Sequence, residues 1–277
     1  MSKGAIYIAS GKKYIEEAKL SAKSLKKHNP NLSITIFTDR DVESPLFDDI
    51  IKMNRKVNMP GDSLLTEEHI VYDKNLFLDS DTHICSNIMD VFELLDTSDI
   101  ALAHAVTRTR ERYKKENLNI PDAFPEYNSG VVAYNDSKTV RELFDKWQSI
   151  DKEIDHGWNQ VSFRYALYKI GIDVSTLPPE YNFRTHVVGF ASGPVKIVHG
   201  RPRKSNLQSY SRKINSTTER RVVTWDKHPC RIVPTTYKSP WYRVGYMWEV
   251  AKEKRNKEGT ASVINSVINR AVNKIIT

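Results

Sequence analysis

Asn75-Leu76-Phe77-Leu78-Asp79-Ser80-Asp81 decides how the chain is read. The apolar run Leu76-Phe77-Leu78 predicts a short buried strand, and two carboxylates two positions apart follow it at once. In extended backbone, side chains at i and i+2 point the same way. Asp79 and Asp81 are therefore expected to converge at the carboxyl end of the strand, the edge where open α/β sheets bind ligands. Convergent carboxylates repel each other unless a cation lies between them. Mn²⁺ or Mg²⁺ suits such oxygens and also bridges diphosphates. An Asp-x-Asp triplet also occurs by chance in exposed loops, so its place after an apolar strand carries the weight.

Working outward, the segments alternate. Ala5–Ala9 predicts a first strand, Ser10–Lys13 a loop, and Tyr14–Lys27 a helix with Ile15, Ala18, Ala22 and Leu25 on one face. His28-Asn29-Pro30 stops that helix, and Leu32–Phe37 reads as a strand ending at Thr38-Asp39. A βαβ opening implies a mostly parallel sheet covered by helices. Further on, Val91–Leu95 predicts a short helix, Ile100–Ala105 a strand, and Arg108–Asn117 a charged loop or helix. Gly130–Tyr134 predicts a strand, Ser137–Ile150 an amphipathic helix (Val140, Phe144, Trp147), and Val161–Ile170 another helix. Val195–Val198 reads as the last strand of the core, and Lys204–Thr224 as polar, basic and aperiodic. Ser262–Ile276 predicts an amphipathic helix that packs on the core, meets a partner or lies on a membrane surface.

With 277 residues, 39% of them hydrophobic, the chain suits one substantial core with an appendage. Charge divides it at the same place. Residues 1–200 carry 25 Lys+Arg against 29 Asp+Glu, whereas residues 201–277 carry 17 against 5. We expect a catalytic unit over residues 1–205 and a basic extension over 206–277. Such an extension suits phosphate-rich partners: a nucleotide diphosphate, an anionic membrane face or a nucleic acid. No run approaches the roughly 18 apolar residues of a membrane-spanning helix. The first apolar run is too short for a secretory signal. Cys85 and Cys230 build neither a disulfide framework nor a four-cysteine zinc site. The expected setting is cytoplasmic, with peripheral membrane contact through the extension as a further expectation.

His199 follows the strand Val195–Val198 and precedes Gly200, Arg201, Arg203 and Lys204. It is a candidate third metal ligand, and an imidazole favours Mn²⁺ over Mg²⁺. Arg201 and Lys204 are candidates to neutralise a departing diphosphate.

Several ordered segments within residues 4–205 resemble the GT-A fold glycosyltransferases that use nucleotide sugars, and family 8, the glycogenin-like group, in particular. Ala9-Ser10-Gly11-Lys12-Lys13-Tyr14 is similar to that family's first strand and nucleotide loop, which puts Tyr14 under the uracil. Tyr72 to Thr82 resembles its metal motif with an upstream lysine, here Lys74. Tyr127-Asn128-Ser129-Gly130 resembles its Asn-Ser-Gly turn at the donor sugar. Asp155 to Gln160 falls at its glycine-rich Asp-Gln segment, Leu177 to Asn182 at its Leu-Pro-x-x-Tyr-Asn stretch, and Val198-His199-Gly200 at its metal histidine.

The resemblance implies a metal-dependent hexosyltransferase, with a UDP-sugar donor, a hydroxyl acceptor (glycan, glycolipid or protein) and retained configuration. It implies a metal held by Asp79, Asp81 and His199. Ala9, Ser10, Tyr14, Asn128, Ser129, Gly200, Arg201 and Lys204 would hold the donor. Lys74, Asn159 and Gln160 would act at the phosphate or the sugar. Asn159 departs from the family's aspartate, and an amide cannot serve as base or nucleophile. Either Asn159 only holds a hydroxyl, or Asp155 supplies the carboxylate. The loop after His199 also departs, which leaves the phosphate contact open among Arg201, Arg203 and Lys204. The competing readings are a catalytically silent nucleotide-sugar binder and a nucleic-acid- or membrane-binding protein acting through the extension.

Overall fold

The computed structural model describes residues 1–53, 64–105, 119–154, 159–185, 189–202, 206–216, 221–223 and 232–234. In chain order, the first elements are β1 (Lys3–Ala9), α1 (Gly11–His28), β2 (Ser33–Thr38), β3 (Asp49–Lys52), β4 (Lys74–Leu78), β5 (Thr82–Ile84) and α2 (Val91–Leu94). Then come β6 (Ile100–His104), β7 (Tyr127–Asn135), α3 (Lys138–Ile154), α4 (Asn159–Ile170) and β8 (Val174–Leu177). The last are β9 (Phe183–Arg184), β10 (Gly189–Ala191), β11 (Ile197–His199), α5 (Leu207–Ile214), β12 (Arg221–Val223) and β13 (Ile232–Pro234).

The main sheet has the order β3-β2-β1-β4-β7-β6-β8. Its pairs are parallel except where β7 meets β4 and β6. Strand side chains alternate between two cores. Ala5, Tyr7, Ala9, Leu76 and Leu78 pack with Ile15, Ala18, Ala22, Leu25 and Phe92. Ile6, Ile8, Phe77, Val132 and Tyr134 pack with Phe144, Trp147 and Phe163. A sheet buried on both faces explains why its strands read as short continuous apolar runs.

The chain runs outward from β1 through β2 to β3 and then crosses to the other side of β1 as β4, so the strand order reverses between β1 and β4. A crevice opens outside the carboxyl ends of strands at such a point. Two smaller sheets complete the described structure, β5-β11-β9 and β10-β12-β13.

The sequence reading needs three corrections. The loop expected over Ser10–Lys13 shrinks to Ser10, because Gly11 already begins α1. Gly11 enters the helix at φ +77°, a left-handed conformation open to glycine, and donates its N–H to Asp39 Oδ1 at 2.8 Å. Val195–Val198 does not complete the main sheet. The strand there is β11, paired with β5 and β9. Within Lys204–Thr224 lies α5, whose Tyr210 and Ile214 pack on Phe183, Val195 and Val198. Arg108–Asn117 and Ser262–Ile276 lie outside the described residues.

Candidate active site

At the end of β4 the backbone turns sharply. Thr82 donates to Asp79 O twice, from its N–H at 3.2 Å and its hydroxyl at 2.8 Å. This turn brings Asp79 and Asp81 together, where the sequence reading had relied on extended backbone. The small sheet then delivers His199, paired opposite Thr82 on β5 and Arg184 on β9. His199 Nε2 lies 3.2 Å from Asp79 Oδ2 and 3.5 Å from Asp81 Oδ1. Gly200 follows at φ +104° and donates its N–H to Asp81 O at 2.9 Å, folding the chain back over the acidic pair.

One ligand atom from each of Asp79, Asp81 and His199 lies within 4.8 Å of the others. Neighbouring ligands of an octahedral ion at about 2.1 Å stand about 3 Å apart, so the donor set fits a divalent cation. Gly130 gives a second sign of fit. A Cβ there would stand 2.1 Å from His199 Cε1 and 2.5 Å from Asp79 Oδ2, so these two groups close up only over a glycine.

The charges around the site balance. Arg201 Nη1 reaches Asp81 Oδ2 at 3.1 Å, while its Nε and Nη2 donate to the two oxygens of Glu17 at 2.9 and 2.6 Å. Its guanidinium also lies 5.4 Å from the centroid of the Tyr14 ring. Burial pushes the Asp81 carboxyl up, but the His199 hydrogen bond and the charges of His199, Arg201 and Arg184 hold it well below the usual carboxylate range. Burial and Arg184 press His199 toward the neutral form. Its hydrogen bonds to Asp79 and Asp81 prevail and raise it. The Glu17 hydrogen bonds hold Arg201 above its ordinary value. Burial lowers Arg184 against the pull of Asp79 and Asp81. Three carboxylates, Glu17 included, thus face an imidazole and two guanidinium groups, an arrangement able to take both a cation and an anionic ligand.

Behind His199 stands a row of amides. His199 Nδ1 lies 2.8 Å from Asn182 Oδ1, Asn182 Nδ2 donates to Asn128 Oδ1 at 2.9 Å, and Asn128 Nδ2 donates to Gln160 Oε1 at 3.1 Å. Gln160 Nε2 donates to Glu126. The start of α4 is fixed from below, because the Trp147 indole N–H donates to Asn159 O at 2.9 Å and its ring lies 4.2 Å from that of Phe163.

The structure therefore brings together Asp79, Asp81, His199, Gly200, Arg201 and Tyr14, with Asn128 and Gln160 joined to them through Asn182. Ala9 and Ser10 lie buried at the end of β1, next to the turn into α1. Ser129 and Asn159 are partly exposed. Lys74 needs correction as a phosphate or sugar contact. It begins β4, about 16 Å of strand before Asp79. There its buried ammonium donates to Phe92 O at 2.8 Å and pairs with Asp96. Asp155, Arg203 and Lys204 lie outside the described residues. Sequence reasoning missed Glu17, Glu126 and Arg184. Glu17 lies one helical turn after Tyr14 and so faces the same way, which was the only available signal.

The galactosyltransferase LgtC, solved in complex with donor and acceptor sugar analogs, superposes on this chain with a TM-score of 0.53 at 14% identity. The match covers 76% of this chain and 93% of LgtC. An active-site mutant of LgtC gives 0.55 at 14% identity, covering 76% and 94%.

The fold is GT-A.

The glycosyltransferase GlyE of Streptococcus pneumoniae TIGR4 gives 0.48 at 23% identity over 66% of this chain, which spans 48% of GlyE. No family model and no curated protein matches the sequence.

Proposed function

We propose that the chain is a metal-dependent glycosyltransferase that moves a sugar from a nucleotide diphosphate sugar to a hydroxyl acceptor. One observation carries the reading. Asp79, Asp81 and His199 converge at the carboxyl edge of a GT-A sheet, with Arg201 held against them. The solved complex of LgtC with donor and acceptor sugar analogs, in the same fold, supports a donor and an acceptor that are both sugars.

Asp79, Asp81 and His199 would hold a divalent cation, Mn²⁺ or Mg²⁺, which supplies countercharge to diphosphate oxygens when bound. The chain's own groups do the rest. Arg201, pinned by Glu17, offers a guanidinium to the phosphates without having to be ordered first. Gly130 leaves the floor open beneath His199 and Asp79. In the transfer, the bond from the sugar C1 to the diphosphate oxygen breaks and a bond forms from C1 to the acceptor oxygen. The acceptor proton passes to the departing diphosphate. That route needs no carboxylate base, so it tolerates the amide of Asn159. Retention of configuration and a uridine donor are supported by the likeness to family 8 in the segments around Tyr14, Asp79, Asn128 and His199.

The test is a thermal-shift panel of UDP, GDP, CDP and TDP, with and without Mn²⁺, on wild type and Asp81→Ala. A nucleotide at a hundredfold excess over Kd stabilises by about 2.7 kcal/mol. We expect one nucleotide to act with Mn²⁺ and the shift to vanish in Asp81→Ala. If no nucleotide acts under any metal, the reading fails. A metal-dependent shift without donor hydrolysis or transfer would identify a silent binder.

A further inference from the structure

We propose that Glu126 is a positioning residue for His199, acting through a one-directional chain of hydrogen bonds that dictates which imidazole nitrogen carries the proton. The inference rests on the reading of His199 Nε2 as a metal ligand and names what aims that nitrogen.

The chain runs Glu126, Gln160, Asn128, Asn182, His199. Glu126, Asn128, Asn182 and His199 are all buried, at 2, 6, 6 and 4% exposure. An amide flanked by amides has no preferred orientation, because its oxygen and nitrogen ends can exchange places. The Glu126 carboxyl oxygen accepts from Gln160. With Glu126 at one end, Gln160 must turn Nε2 toward it and offer Oε1 to Asn128. Asn128 must then offer Oδ1 to Asn182, and Asn182 must offer Oδ1 to His199.

A second anchor agrees. The Gly130 N–H donates to the same Asn128 Oδ1 at 3.2 Å. Reversing the chain would set the Asn128 NH₂ against that N–H and the Gln160 oxygen against the Glu126 carboxylate. Both anchors require a proton on His199 Nδ1, so Nε2, which faces Asp79 and Asp81, is the nitrogen that would take a metal in place of its own proton. Metal-binding histidines are generally held this way by a group on the other ring nitrogen. Here the holding group is a neutral amide, and its direction comes from a carboxylate three hydrogen bonds further back.

The test uses full-length, metal-free protein labelled with ¹⁵N-histidine. In wild type, the His199 Nδ1–H should appear as a slowly exchanging proton coupled to its nitrogen. Glu126→Ala removes the anchor and Gln160→Leu removes the link, and each should abolish that signal or speed its exchange at least about tenfold. The Kd for Mn²⁺, read from the free-ion EPR signal, should rise about tenfold in both, the low end for groups behind a metal ligand. Glu126→Gln keeps the side chain's size but can turn either end of its amide toward Gln160, so it should recover only part of both. An unchanged Nδ1–H in folded Glu126→Ala and Gln160→Leu overturns the proposal, whatever the Kd does. If Glu126→Ala does not fold, Gln160→Leu carries the test. Should wild type bind no Mn²⁺, the metal reading fails alone, and the Nδ1–H spectra still judge the chain.

Discussion

Replacing Gly130 with alanine adds one methyl group at the most crowded point of the site. The new Cβ would stand 2.1 Å from His199 Cε1, 2.5 Å from Asp79 Oδ2 and 2.8 Å from His199 Nε2. Carbon atoms rest about 3.5–4.0 Å apart, so the imidazole would have to retreat by about 1.4 Å or more. Little around it is free to give. Asp79 donates its N–H to Gly130 O at 2.8 Å, and the ring is held at 2.8 Å by Asn182. Overpacking of this kind costs about 1–3 kcal/mol. Each kcal/mol is worth about 2–4 °C of Tm at this chain length, so the variant should melt about 2–12 °C below wild type. The larger effect falls on the cation. Ligand distances tolerate about 0.2 Å, far less than the forced retreat. The Kd for Mn²⁺ should rise at least about a hundredfold, beyond what the loss of a group behind a ligand costs on average. Urea unfolding gives the stability and EPR of free Mn²⁺ the affinity. A folded variant that binds Mn²⁺ within about threefold of wild type, less than 1 kcal/mol, would refute the requirement for close approach.

Two further outcomes follow from residues away from that contact. Lys74→Met should lower stability by about 1–3 kcal/mol through the lost bond to Phe92 O, yet leave nucleotide and Mn²⁺ affinity unchanged; a loss of binding would return Lys74 to the site. Burial pushes the Asp48 carboxyl up, but Lys26 at 2.8 Å and the Ile34 N–H at 2.7 Å outweigh it and hold it below its ordinary value. Its stabilisation is present above the unfolded value near pH 4 and lost as pH falls through the lower folded one. Asp48→Asn should therefore be less stable than wild type at pH 7, with the gap closing below about pH 4 in urea midpoints; a gap constant from pH 7 to 3 would refute this.

The opening βαβ unit and the doubly buried strands were legible because local pattern and tertiary placement agree there. Ile15, Ala18, Ala22 and Leu25 mark one face of α1, and all four are buried. The small sheet was not legible, since β5, β9 and β11 have two or three residues each, too few to show a period. That sheet is what carries His199 to Asp79 and Asp81. Their grouping was suggested by strand ends and by family likeness, not by any pattern that places β11. Lys74 was misplaced because motif adjacency was allowed to outweigh strand polarity: a residue that opens β4 lies at the far edge. Glu126 gave no sequence signal at all. Its meaning depends on Gln160 and Asn182, 34 and 56 positions later, and only the folded chain joins them.

The reversed strand β7 has an effect of another kind. β6 arrives at the site edge and β7 departs from it, with His104 paired opposite Tyr127. The intervening excursion, residues 105–126, therefore leaves and rejoins the sheet at one spot. Its return limb is clasped by Arg164, which donates to Pro121 O, Phe124 O and Pro125 O. A detour with coincident ends can be lengthened or shortened without moving any strand, so long as Glu126 at its return keeps its place against Gln160. Evolution can thus revise the segment between these ends while the strands that carry the site stay constant, and a loop graft between them offers the engineer equal freedom.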